Sequence, residues 1–257
     1  MFTSIPSLDS ILQCLLPVFT EPSFRTHVEI LLGWVMCLSK RTEYGVFQTI
    51  QADAPVSRQE RHPFDRFYNF FSRSSWMVPD LARQVAVAVV VRLNPSGLLY
   101  LVVDDTLLHK RGKKVYGLGW FRDAVASTAK RVATASGNHW VVVGLAICIP
   151  KTDKIYCLPI HAKLHLAGKN QKSEATLARE MLGDILEWFP DRKLVFLGDG
   201  AYSTKNLLGD LDPRVTYVGV MRADAAIYDP VPAKQPKSKR GPKATKGPRL
   251  PNPKEAM

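Results

Sequence analysis

The sequence predicts an α/β fold, with an N-terminal helical region followed by a core on a mixed sheet. Three observations carry that expectation. Residues 1–93 repeat apolar side chains at helical spacing. From Leu98 onward the apolar runs are short and rich in β-branched and aromatic residues, as buried strands are. Between those runs lies one long segment with helical periodicity, Ser173 to Phe189.

In the N-terminal region, Ile11, Leu12, Leu15, Leu16 and Phe19 recur at helical spacing, and Pro22 interrupts them. Phe24 to Lys40 reads as a buried helix, apolar on most of its circumference. Thr42 to Gln51 forms a short third helix. His62 to Trp76, HPFDRFYNFFSRSSW, interleaves His62, Arg66 and Arg73 with Phe64, Phe67, Tyr68, Phe70, Phe71 and Trp76. Such a helix can grip a phosphate backbone through Arg66 and Arg73 and set its rings against bases. Equally, it can pack the rings into a core and solvate the arginines. Pro79-Asp80 starts another helix, from Leu81 to Leu93, and Asn94-Pro95 ends it.

The strand-rich part opens with Leu98 to Thr106, LLYLVVDDT, an apolar run closing on two adjacent acids. Gly112, Gly117 and Gly119 then suggest hairpin turns, and ATASGN (Ala133 to Asn138) a further turn. Trp140 to Pro150 reads as a second buried strand, Lys154 to Ile160 as a third. Ser173 caps the central helix and Pro190 stops it. Lys193 to Asp199, KLVFLGD, is a short buried strand that again ends in an acid. Ser203 to Leu208 begins a short helix, and Arg214 to Met221 is the last strand. Residues 229–257 are rich in Pro and Lys and cannot bury enough apolar area to fold alone. They form either a basic arm or an insertion. The expected organisation is thus 1–93, 94–228 and 229–257.

With 35 basic against 23 acidic residues, the net charge is +12. That excess favours polyanions, chiefly nucleic acid. The longest apolar runs are too short to span a bilayer, and the N-terminus lacks the marks of a signal peptide, so the expected location is cytoplasmic. Cys14, Cys37, Cys148 and Cys157 form no CxxC pair and read as reduced, core-type cysteines.

Asp104 and Asp199 each close an apolar strand. If the two strands are neighbours, the carboxylates converge at one rim of the sheet, where they repel unless a proton or cation sits between them. Hard oxygen ligands with no His or Cys nearby favour Mg²⁺ or Mn²⁺, which would act on a phosphate. The competing reading makes each Asp a turn former or helix cap.

VVDDTLLHKRGKKVYGLGWF, then VFLGDGAYST, then VGVMRADAAIYDP and the Pro/Lys-rich stretch resemble the DDE transposases of bacterial insertion sequences. More narrowly, they resemble the DDE superfamily endonucleases. The resemblance implies a ribonuclease H-like core and an enzyme that nicks and joins double-stranded DNA at element ends with two divalent metals, Mg²⁺ or Mn²⁺. It also leaves room for a homodimer. It assigns the first catalytic and metal-binding acid to Asp104 and the second to Asp199. Asp105 is the alternative for the first place; Asp104 is favoured because the family pattern reads Asp, any residue, Thr. On an alternating strand only one of the two faces the metal. Lys110, Arg111, Lys113 and Lys114 follow at once and are candidates for holding the DNA backbone, or form a solvated hairpin.

The family's third acid, a Glu on a helix, falls beyond the Pro/Lys-rich insertion, and Asp224, Asp229 and Glu255 do not match its motif. The core is therefore expected to be incomplete at the C-terminus, the chain truncated and catalysis impaired. The alternative is a non-catalytic DNA-binding relic or regulator derived from a transposase. A third reading is a metal-dependent phosphohydrolase of small esters, with no Walker or Rossmann glycine loop to support a nucleotide.

Overall fold

The computed structural model describes residues 6–38, 40–53, 64–149, 152–168, 170–221, 223, 225–231 and 245–255. His62, Asp224 and most of the Pro/Lys-rich tail lie outside them.

Among the described residues five α-helices come first: α1 (Pro6–Gln13), α2 (Glu21–Met36), α3 (Glu43–Asp53), α4 (Asp65–Ser72) and α5 (Val78–Leu93). Then follow β1 (Leu99–His109), β2 (Gly119–Arg122), β3 (Thr134–Cys148), β4 (Ile155–His165), α6 (Glu174–Trp188), β5 (Leu194–Gly198), α7 (Lys205–Leu208) and β6 (Val215–Gly219). The six strands form one sheet in the order β2-β3-β1-β5-β6, with β4 also pairing with β3. β2 runs antiparallel to β3, and β5 parallel to β6. This is the expected α/β architecture, helices first and a mixed sheet after them.

Two differences from the sequence reading have plain causes. Pro22 starts α2 rather than interrupting a helix, because a proline in the first helical turn loses no hydrogen bond. ATASGN is not a turn; it is the first third of β3, paired with β2 from Gly119↔Gly137 to Arg122↔Thr134. Gly137 is there because β1 passes too close for a side chain. A Cβ on it would lie 2.9 Å from Leu107 Cδ1 and 3.0 Å from the Leu108 carbonyl carbon.

The chain divides into two units. One comprises Met1–Leu99, Val142–Lys163 and Met181–Arg192. In it, Leu12 and Leu15 pack with Phe24 and Val28, joined by Leu81 and Val85. A second cluster joins Ile30, Val46, Phe67 and Phe70. Near-complete burial of such side chains is worth about 1.5–3 kcal/mol each. Trp76 donates its Nε1–H to the Phe70 carbonyl (3.0 Å) and stacks on the Phe70 ring. The packing alternative therefore holds for Phe67, Phe70 and Trp76, whereas Tyr68 and Phe71 are exposed. Arg192 clamps the Asn94–Gly97 turn, donating to the Asn94 carbonyl (3.1 Å), Asn94 Oδ1 (2.9 Å) and the Gly97 carbonyl (2.9 Å). Buried His161 sits 2.9 Å from Asp184, which also pairs with Lys163 at 3.0 Å.

The other unit comprises Tyr100–Val141, Leu164–Glu180 and Lys193–Met257. Leu101, Val103, Val141, Ala178, Leu194 and Phe196 are among its buried apolar residues on β1, β3, α6 and β5. At its far end the described part of the tail folds back. Tyr228 and Arg249 form an antiparallel bridge, and the Asp229 N–H donates to the Pro248 carbonyl (2.9 Å). Lys246 lies over the Tyr228 ring at 4.6 Å. Of the cysteines, Cys37 is buried as expected, but Cys148 and Cys157 are exposed; all four are free.

Candidate functional site

β1 and β5 are neighbours in the sheet. β5 ends at Gly198, so Asp199 leaves the strand at once, while β1 continues four residues past Asp105 to His109. The acids of LLYLVVDDT are thus mid-strand rather than at a strand end, since β1 goes on to pair with β3. The adjacency is close: a Cβ on Gly198 would lie 3.2 Å from Val103 Cγ1 and 3.0 Å from Tyr202 Cβ. Asp104 follows Val103 within β1, and Asp199 follows Gly198 just past the end of β5.

Alternation along β1 separates the two acids. Asp105 continues the face of buried Leu101 and Val103; Asp104 continues that of Tyr100 and Val102. Asp105 Oδ2 lies 2.7 Å from His139 Nε2, and Oδ1 is 3.5 Å from the Tyr202 hydroxyl. The His139 hydrogen bond holds the Asp105 carboxyl below the usual carboxylate range, outweighing its partial burial. An ionised Asp105 makes Nε2–H of His139 the donor and leaves Nδ1 with its lone pair.

His139 Nδ1 is 3.1 Å from His165 Nδ1. Glu174 Oε1 lies 3.2 Å from His165 Nδ1 and 3.8 Å from His139 Nδ1. Phe121 packs on both imidazoles, with ring centroids at 4.9 and 5.6 Å. Ser173 positions Glu174: its hydroxyl accepts from the Thr176 N–H at 3.3 Å, opening α6 with the carboxylate in the first turn.

Tyr202 ties the acids together. Its phenol is buried and pushed well above its ordinary range, first by burial and then by the charges of Asp105, Asp104, Glu174 and Asp199. Four carboxylates therefore bear on one hydroxyl, which keeps its proton. Asp199 also shapes its turn, with Oδ1 accepting the Ala201 N–H at 2.9 Å and its carbonyl the Tyr202 N–H at 3.2 Å. Asp104 Oδ1 accepts the Asp105 N–H at 2.9 Å. Asp199 does the turn work foreseen for it, whereas Asp104 lies inside β1 and bonds only to the next residue; both contribute charge at Tyr202.

Lys110, Arg111, Lys113 and Lys114 are exposed in the loop between β1 and β2. Arg73, at the end of α4, is exposed. Arg66 is ion-paired with Glu29 and lies over the Phe67 ring at 5.7 Å. These two groups of basic residues belong to different units.

A sequence model of the DDE superfamily endonucleases matches residues 14–257. The chain belongs to that family. No curated protein sequence matches it. Among solved structures it is similar to a piggyBac transposase, in a synaptic complex with hairpin DNA, at 13% identity and a TM-score of 0.39. That likeness covers 84% of this chain and 49% of the other, so the chain spans about half the length of the structure it matches.

Endonucleases of the DDE superfamily are generally divalent-metal dependent. The donor set here suits a hard cation: the Asp104 and Asp199 hydrogen bonds described above use Oδ1, so Oδ2 of each is the oxygen on offer. The expectation that no His stands near the acids is overturned by His139 and His165. Sequence reasoning passed over these two, Glu174 and Tyr202. The only signals were a histidine opening the apolar run of β3, another closing β4, an acid after a capping serine, and the tyrosine of GDGAYST. Among the described residues no helix is long and apolar enough to cross a membrane.

Proposed function

We propose that this DDE superfamily endonuclease is a DNA transposase of the insertion-sequence kind, nicking and joining double-stranded DNA at element ends. The observation that carries the proposal is that β1, which holds Asp104 and Asp105, neighbours β5, which Asp199 follows, in a chain of net charge +12. Asp104 and Asp199 would hold Mg²⁺ or Mn²⁺, which when bound supplies activation of water and charge stabilisation at the scissile phosphate. Asp105 is a positioning residue in this scheme, held by His139 and facing away from Asp104. Tyr202 keeps its proton and donates to Asp105 Oδ1 at 3.5 Å, which eases that acid's charge without adding to it. Lys110, Arg111, Lys113 and Lys114, on the same unit as the acids, hold the DNA backbone.

A second reading, a DNA-binding protein without catalysis, draws on the local hydrogen bonds of Asp104 in β1 and Asp199 in its turn, which serve the fold with or without a metal. One assay separates the two. The purified chain is incubated with supercoiled plasmid and Mg²⁺ or Mn²⁺, and relaxed circles are counted. The transposase reading expects nicking that Asp104→Ala and Asp199→Ala reduce to background. Equal nicking by both variants overturns it, and duplex binding without nicking favours the second reading. In either case binding should weaken steeply with salt, with a logarithmic slope of about −0.9 per phosphate contacted.

A further inference from the structure

We infer that His139, His165 and Glu174 form a second metal site, of nitrogen-rich character, that takes Zn²⁺ or a similar borderline transition ion. The inference goes beyond the proposed DNA chemistry and does not depend on it.

The geometry comes first. His139 Nδ1, His165 Nδ1 and Glu174 Oε1 are separated by 3.1, 3.2 and 3.8 Å. A point equidistant from the three corners of that triangle lies about 2.0 Å from each, the length of Zn–N and Zn–O bonds. Three donors from β3, β4 and α6 thus surround a position of ionic size without any side chain moving.

Proton counting points the same way. With Nε2 of His139 turned to the Asp105 carboxylate, a neutral His139 presents its Nδ1 lone pair inward. Glu174 offers a second acceptor. His165 Nδ1 lies between these two, at 3.1 and 3.2 Å, and one N–H cannot serve both fully. A dication satisfies all three atoms at once. It also offsets the negative charge that Asp104, Asp105, Glu174 and Asp199 gather around Tyr202.

The donors choose the ion. Two imidazoles and one carboxylate suit Zn²⁺ and its neighbours and are poor ligands for Mg²⁺. A carboxylate behind a ligating histidine fixes its tautomer and raises its basicity. Asp105 occupies that place at 2.7 Å from His139 Nε2. The imidazoles are largely enclosed, at 9% and 15% exposure, and Glu174 at 39% marks the open side. Asp105 thereby acquires a definite task. It links the transition-metal site to the strand that carries Asp104.

The test uses the full chain, stripped with chelator and titrated with Zn²⁺ by calorimetry, with bound metal counted by elemental analysis. One ion per chain is expected, with a dissociation constant below about 1 μM. His139→Gln and His165→Gln should each weaken binding at least about tenfold, and Asp105→Asn about 10–100-fold. Co²⁺ in place of Zn²⁺ should give visible ligand-field bands that both His variants lose. Circular dichroism verifies folding; a variant that does not fold is replaced by Glu174→Gln, read by the same titration. Zinc binding unchanged in the histidine variants overturns the inference. So does zinc binding abolished by Asp104→Ala or Asp199→Ala but retained by the histidine variants, which would place the ion on the strand acids.

Discussion

Adding the same methyl group at two glycines should move stability in opposite directions. Gly137 lies in β3, paired with Gly119. A Cβ there would be driven onto the Leu108 carbonyl oxygen, with Leu107 Cδ1 at 2.9 Å and the Leu108 carbonyl carbon at 3.0 Å. Most of these obstacles are backbone, which cannot rotate aside, so β1 and β3 must part. Overpacking of this kind costs about 1–3 kcal/mol. At about 2–4 °C per kcal/mol for a chain of this size, Gly137→Ala should lower Tm by roughly 2–12 °C. Gly183 lies in the middle of α6, and a Cβ there meets nothing within 4 Å. Alanine is the better helix former by about 0.5–1 kcal/mol, so Gly183→Ala should raise Tm by roughly 1–4 °C. Calorimetric melts of the two variants beside the parent suffice. A Gly137→Ala melt within 1 °C of the parent would refute the close approach of β1 and β3. Since His139 is two residues from Gly137, the same variant should also weaken zinc binding.

Arg192→Ala removes three hydrogen bonds to the Asn94–Gly97 turn and should destabilise the chain by about 1–3 kcal/mol in urea titration; a loss under about 0.5 kcal/mol would mean that solvent replaces the clamp. Stability should fall between pH 6.5 and 5. Burial depresses His27, stacked on Phe19 at 4.6 Å, and it depresses His161 against the opposing pull of Asp184. A depressed imidazole contributes stability above its unfolded value near 6.5 that is lost as pH falls through its folded one. Tm measured from pH 7 to pH 5 should decline less in His27→Phe than in the parent, and identical profiles would exclude His27 as a source.

The fold was legible where pattern and environment agree. LLYLVVDDT, WVVVGLAICIP and KLVFLGD alternate or run apolar because they are strands with buried faces, and α6 shows its helical period for the same reason. ATASGN misled because small, turn-prone residues also suit a strand whose neighbour comes too near for side chains. In the site, the acids after apolar runs announced Asp104 and Asp199. His139, His165 and Glu174 come from three elements, and no spacing along the chain relates them. The pairing of β4 with β3 sets His165 beside His139, and the first turn of α6 adds Glu174. The rings of α4 could be read either as contacts for bases or as core; the choice needed α2 and α3, whose Ile30 and Val46 pack against them.

The pairing of Tyr228 with Arg249 has an evolutionary consequence. Backbone hydrogen bonds join Asp229 to Gly247 and Pro248, and Ile227 to Leu250, so Val231 and Thr245 each lie next to a fastened position. Once such a neck is closed, each doubling of the length beyond it adds only about 0.6 kcal/mol of chain entropy. Duplications, deletions or whole foreign modules can therefore accumulate between those two residues while the strands behind them stay in register. Related chains are expected to differ most in length at this point, and a fluorescent reporter spliced there should leave the melting behaviour of the rest intact.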